Sequence, residues 1–179
     1  MKIETKYQEG LKKLIKEKQL DEINVVMLCD AVKSNRQTFY YHYRDISDVI
    51  DSIFLKEKIG QGKVMPDFES SLKAMIVYLN SNYSFVSAIN NSFAQDKFTS
   101  FLYSYFYSKL TLIFKNEGKD PYACRSILRM LSSIYSSELR VWISNKRKEH
   151  QETLIKRFLV VYNYFTTQYL GDVRREANK

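Results

Sequence analysis

At 179 residues and 45% apolar content, the chain can bury a sizeable core, as one domain or as a small head with a larger body, which argues against disorder. Two cysteines without a pairing pattern, Cys29 and Cys124, argue against a disulfide framework, and no apolar run approaches bilayer-spanning or signal-peptide character, so a cytoplasmic protein with no membrane role is expected. The net charge of +8 does not locate a nucleic-acid site: Lys plus Arg against Asp plus Glu run 11 to 10 in residues 1–60, 5 to 4 in 61–118 and 12 to 6 in 119–179.

Two prolines and five glycines interrupt the chain and strand-like alternation is scarce, which predicts an all-α fold of roughly nine helices. A first helix is predicted over about Lys6 to Lys18, with Tyr7, Leu11, Leu14 and Ile15 on one face and Gly10 weakening it. Asn24 suits the N-cap of a second helix, about Val25 to Val32, with Val25, Leu28, Cys29 and Val32 on one side. Lys33-Ser34 makes a short turn, and Asn35 caps a third helix from Arg36 to Tyr43. Asp45 or Ser47 begins a fourth, with Val49, Ile50, Ile53 and Phe54 inward. Gly60-x-Gly62 followed by Pro66 is the clearest joint, and it divides a three- to four-helix head, residues 1–60, from a larger helical body, residues 61–179.

The body is predicted to hold helices over about Asp67 to Asn80, part of Tyr83 to Ser92, Asp96 to Lys115, Tyr122 to Arg147 and Glu149 to Leu170. Gly118 and Pro121 make the break between the third and fourth of these. The helix from Tyr122 is apolar along two rows, 127-131-134-138 and 128-135-142, and must bury both. One row can face its own domain; the other needs a partner subunit.

Residues 35–43, N-R-Q-T-F-Y-Y-H-Y, are the most informative stretch. A buried helix needs an apolar stripe about 100° wide. Here Phe39 and Tyr43 supply only a narrow inward seam, and every other side chain from Arg36 to His42 can donate or accept a hydrogen bond outward. Two short helices joined by a turn, with supporting helices before and after, form a helix-turn-helix. Arg36 can bond guanine O6 and N7, Gln37 adenine N6 and N7, and Tyr41 a base or sugar edge. Thr38, Tyr40 and His42 offer donors suited to phosphates, and Asn24, Lys33 and Arg44 complete the expected phosphate contacts.

The stretch Ile23 to Ile50 resembles the N-terminal domain of the TetR/AcrR family of transcriptional regulators, through T-F-Y-x-H-[FY]-x-[DN] at Thr38 to Asp45 and an acidic-then-aliphatic start to the next helix at Asp48, Val49 and Ile50. The resemblance covers about the first third of the chain. It implies that Arg36, Gln37 and Tyr41 face bases while Thr38, Tyr40 and His42 face phosphates. This chain departs from the family where a turn glycine is replaced by Lys33, an apolar residue by Ser34, and a phosphate-directed lysine by Ile46. Lys33 then has to accept a left-handed backbone, and Arg44 or Lys33 has to compensate for the missing lysine.

The resemblance further implies a homodimer joined through the last two helices as a four-helix bundle, with Ile143, Leu154, Phe158, Tyr162 and Phe165 as the expected interface. Its operator would be an inverted repeat of double-stranded DNA. Repression relieved by a small apolar or aromatic effector is expected, with Tyr105, Tyr135, Glu138 and Trp142 lining the pocket; the same aromatics equally suit a packed core. The R-Q-T-F-Y stretch and the short aromatic body are also similar to TetR-like regulators of dihydroxyacetone-kinase operons, which work with a partner protein, and a solid core would favour that alternative. No Gly-rich phosphate loop, G-x-S-x-G, H-E-x-x-H or Cys-x-x-Cys occurs, and His42 has no ligating neighbours in sequence. No enzyme activity, cofactor or metal is expected.

Overall fold

The computed structural model describes residues 2–60 and 67–177, with side chains as far as Thr167. Among the described residues the chain forms nine α-helices, one 3-10 turn and no strand, the all-α architecture expected. The helices are α1 (Ile3–Leu14), α2 (Val25–Ala31), α3 (Arg36–His42), α4 (Ile46–Lys56), α5 (Phe68–Ser81), α6 (Tyr83–Asn90), α7 (Gln95–Asn116), α8 (Arg125–Ser144) and α9 (Gln151–Ala177).

α1 begins and ends earlier than its predicted limits. Tight bonds from Lys16 N–H to Lys13 O (3.1 Å) and from Glu17 N–H to Leu14 O (2.9 Å) close it. Lys16, Glu17, Lys18 and Gln19 are all exposed, so another turn of helix would bury nothing. Leu20 and Ile23, at the two ends of the 3-10 turn Leu20–Glu22, are buried instead and anchor the link to α2.

The chain divides into two compact units, one of residues 1–59 with 78–101 and one of 60–77 with 102–179. The first unit thus includes a segment, 78–101, that the boundary at residue 60 assigns to the body. Of the joint itself, Gly60 has φ +65°, while Gly62 and Pro66 lie outside the described residues.

In the first unit α1 packs on α2 and α4, and α2 packs on α3. Phe54 of α4 stacks on Phe101 with ring centroids 4.5 Å apart, and Phe85 and Phe98 close round it at 5.7 and 6.0 Å. Asp51 pairs with Lys97, and Asp21 Oδ1 accepts the Phe93 N–H at 3.2 Å. These contacts tie the far segment to the helix-turn-helix region by both apolar and polar links.

In the second unit, α8 packs on α9 around an aromatic cluster. Phe68 stacks on Tyr162 (4.6 Å) and lies against Tyr135 (4.8 Å), which in turn meets Phe158 (4.9 Å) and Phe106 (5.4 Å).

Gly10 marks where α1 and α2 approach most closely: a Cβ there would stand 2.4 Å from Val32 Cγ1 and 3.3 Å from Leu28 Cδ1. Gly10→Ala gains helix propensity of about 1 kcal/mol but must push α2 away, at about 1–3 kcal/mol. Urea denaturation should show no net stabilisation from Gly10→Ala alone, and a gain when Val32→Ala is added to make room.

Candidate nucleic-acid interface

The helix-turn-helix is built by short polar caps. Asn24 Oδ1 accepts the Met27 N–H (3.0 Å) to open α2, and Asn35 Oδ1 accepts the Thr38 N–H (2.8 Å) to open α3. Between them α2 ends in a Schellman motif, with Ser34 N–H bonded to Cys29 O (2.9 Å) and Lys33 N–H to Asp30 O (3.2 Å). Lys33 takes φ +54°, the left-handed conformation expected of it. The same motif closes α7 at Gly118 (φ +72°) and α8 at Lys146 (φ +55°), so the chain ends helices this way both with and without glycine.

Beneath the turn lies Tyr7, fully buried. Its ring meets Phe39 edge-on at 5.3 Å and Tyr43 edge-on at 6.0 Å, and its hydroxyl is 2.7 Å from Ser34 Oγ. Burial raises the pKa of that hydroxyl, so it stays neutral. Ser34, a departure from the apolar residue of the resembled family, is thereby explained: the turn is held by a hydrogen bond where a hydrophobic contact is the usual device. A second polar set supports the end of α3, where Gln8 Nε2 donates to Ser52 Oγ (2.8 Å), which lies 3.2 Å from the Tyr43 hydroxyl.

With Phe39 and Tyr43 turned inward, α3 presents an outward stripe of Arg36, Gln37, Tyr40 and Tyr41. Tyr40 is 58% exposed and Tyr41 84%, values far from those of core aromatics. Thr38 is half-buried beside them, and Lys33 and Asn24 are exposed at the two ends of α2. These residues form one polar, net-positive surface with two large aromatic side chains on it.

Two expected contacts have partners that sequence reasoning missed. His42 is half-buried, with Nδ1 3.5 Å from Glu4 Oε1 of α1. Arg44 is turned onto Asp48: Nε–H and Nη2–H reach its two carboxylate oxygens at 2.7 and 2.6 Å, and the Arg44 backbone N–H reaches Oδ2 at 2.9 Å. Asp45, the N-cap of α4, accepts the Asp48 N–H at 2.9 Å, so an exchange of bonds across the first turn fixes Asp48 in place. The i, i+4 spacing of Arg44 and Asp48 was the available signal. The bonds from Arg44 hold the Asp48 carboxyl down at about 2.

In the second unit, Tyr105 donates to Ser71 O (2.7 Å), Tyr135 to Phe158 O (3.3 Å) and Trp142 Nε1–H to Glu149 O (2.8 Å). Glu138 pairs with Arg157, which also bonds the Glu149 carboxylate at 2.9 Å. Of the expected interface residues, Ile143, Leu154 and Phe158 are buried within the chain itself, while Tyr162 and Phe165 are half-buried. Among the described side chains of α8 and α9, the exposed large apolar ones are Met130, Val141, Val160 and Tyr164. Among the described residues no group of three or more metal-ligating side chains gathers, and no helix is long and apolar enough to cross a membrane.

Short capped helices at the start and long packed helices after them make an all-helical fold. A solved structure with that fold, the dihydroxyacetone kinase operon activator DhaS, is similar to this chain with a TM-score of 0.66 and 18% identity, covering 88% of this chain and 92% of that one. Identity at this level carries the fold alone. No protein-family model matches the chain, and no curated protein sequence does.

Two stability measurements test the geometry of the interface. Lys33→Gly should raise stability by about 1 kcal/mol, because glycine adopts the left-handed φ without Cβ strain; thermal or urea unfolding reads it. Asp48 titrates at about 2 in the folded chain against an ordinary 3.8, so its contribution is complete above 3.8 and is lost as pH falls through about 2. The acid limb of a stability–pH curve should therefore flatten in Asp48→Asn.

Proposed function

We propose that the protein is a DNA-binding transcriptional regulator, with residues 1–60 carrying the DNA-binding part and residues 61–179 the sensing and dimerisation part. The observation that carries this reading is the outward stripe Arg36-Gln37-Tyr40-Tyr41 on a short helix pinned from below by Phe39 and Tyr7. Phe39 and Tyr7 rigidify the helix, so the long polar side chains are presented at little further entropic cost. In this reading Arg36, Gln37 and Tyr41 read base edges, and Thr38, Tyr40, Asn24 and Lys33 fix the register on phosphates. His42 serves the same backbone once it turns from Glu4, whereas Arg44, expected there too, stays bonded to Asp48.

A homodimer formed through α8 and α9 gives two such helices and an inverted-repeat operator. Because Ile143, Leu154 and Phe158 are already covered, the interface draws on Tyr162 and Phe165 together with Met130, Val141, Val160 and Tyr164. The protein acts as a repressor, excluding transcription from an occupied operator; the name of DhaS, an activator, gives the opposite sign for a neighbour in fold. A reporter driven by the protein's own upstream region separates the two, since loss of the protein raises expression from a repressed promoter and lowers it from an activated one.

Control by a small apolar or aromatic effector is the first reading of the body. A second, control by a partner protein, is favoured by a specific observation: Tyr105 and Tyr135, expected as pocket walls, use their hydroxyls on internal carbonyls, and Tyr135 is packed between Phe68, Phe106 and Phe158. Hydrophobic dyes and aromatic acids that leave the melting temperature unmoved would support the partner.

Arg36→Ala should relax base preference at one position per half-site, at about 1–3 kcal/mol. Tyr40→Phe should weaken binding to all sequences about equally. Gel shift against the upstream region with single-base variants of the operator checks both, and altered sequence preference in Tyr40→Phe would overturn its assignment to a phosphate.

A further inference from the structure

We infer that Asp48 holds Arg44 away from the DNA backbone and thereby sets the affinity of the head for its operator; this rests on the reading of α3 as a DNA-binding helix. Arg44 follows α3 by two residues, and its side chain is 86% exposed. Its guanidinium is nonetheless committed. Two of its N–H groups meet both oxygens of one carboxylate at 2.6 and 2.7 Å, a bidentate geometry that fixes orientation as well as distance.

The carboxylate is itself immobilised. It accepts the Arg44 backbone N–H at 2.9 Å, and the Asp48 N–H is capped by Asp45 at 2.9 Å. The wider field favours the same arrangement, since Asp45 and Asp51 also act on Arg44 as neighbouring negative charges. Asp51 pairs with Lys97, and Ile46 supplies no cation of its own. Of these aspartates only Asp48 bonds the arginine, and it does so through both carboxylate oxygens.

The counterions released on binding come from the DNA, where a protein cation neutralises a phosphate, and an arginine held by a carboxylate displaces none. Each phosphate neutralised by a cation contributes about 0.9 to the dependence of log K on log salt. Arg44 held by Asp48 contributes none of this, and freeing it adds one phosphate contact, about tenfold in affinity near 0.1 M salt. The masked arginine explains how a head with few cations around α3 can carry one more and not use it. The consequence is a weaker and less salt-sensitive grip, in which base contacts by Arg36 and Gln37 hold a larger share of the discrimination.

The test is fluorescence anisotropy of the full chain on a duplex from its own upstream region, over a series of salt concentrations. Asp48→Asn, whose side-chain oxygen can still accept the Arg44 N–H, should bind about tenfold more tightly near 0.1 M salt, with a slope steeper by about 1. Asp48→Ser is the second variant, with circular dichroism confirming that each remains folded. Asp48→Asn combined with Arg44→Gln removes both charges at once and should stay within about twofold of the parent affinity, at the parent slope. If that double variant instead binds more weakly than the parent with a slope flatter by about 1, Arg44 already grips a phosphate and Asp48 positions it, which overturns the inference. An unchanged slope in both Asp48 variants overturns it too. Absence of any sequence-preferring binding by the parent chain sinks the DNA-binding reading itself, and the inference with it.

Discussion

The burial of Tyr7 under the turn between α2 and α3 is the constraint on which the interface depends. One side chain meets the two inward aromatics of the third helix, Phe39 and Tyr43, and its hydroxyl holds Ser34 of the turn. A seven-residue helix has too few internal hydrogen bonds to be stable alone in water. α3 therefore owes its existence to this packing, and its outward stripe is polar because stability comes from the other side. The helix can be chemically specialised without being structurally self-sufficient.

Around that anchor the first unit trades local propensity for close approach. Gly10 is a poor helix residue, but it lets α2 lie against α1 with Val32 in the place a Cβ would take. Lys33 is a poor left-handed residue, yet the Schellman bonds at Ser34 and Lys33 hold it there. Both costs are on the order of 1 kcal/mol, comparable to a single well-placed hydrogen bond. Phe54 then extends the same packing into the segment 78–101, where three further aromatic rings receive it. α3 and this segment belong to one compact unit although many residues separate them in sequence.

Much of the fold was legible beforehand for local reasons. Asn24, Asn35 and Asp45 are short polar residues ahead of apolar periodicity, and each caps the helix expected of it. The limits of α1 were not legible, because Lys16 to Gln19 have good helix propensity and only the absence of anything to bury stops the helix. In the candidate site, the inward pair Phe39 and Tyr43 follows from spacing. The partner of His42 does not, since Glu4 reaches it across helices, and that of Arg44 was signalled only by its i, i+4 spacing to Asp48. The aromatic load of the body could be read as pocket or core, since composition is the same for both. The structure adds that the Tyr105 and Tyr135 hydroxyls are directed at the Ser71 and Phe158 carbonyls.

By itself the sequence determined the all-helical architecture, the caps and the polar character of residues 35–43, because these are set by neighbours within a few residues of each other. The tertiary structure decided what those residues are free to do. Whether a charge faces solvent or a carboxylate, whether a tyrosine lines a cavity or fills one, and whether an apolar row is covered by its own chain are all fixed by groups distant in sequence. The helix from Tyr122 shows the point: its two rows demand burial, but only packing shows that Leu128, Tyr135 and Trp142 are buried by the chain itself while Ile134 and Glu138 of the other row are half-buried.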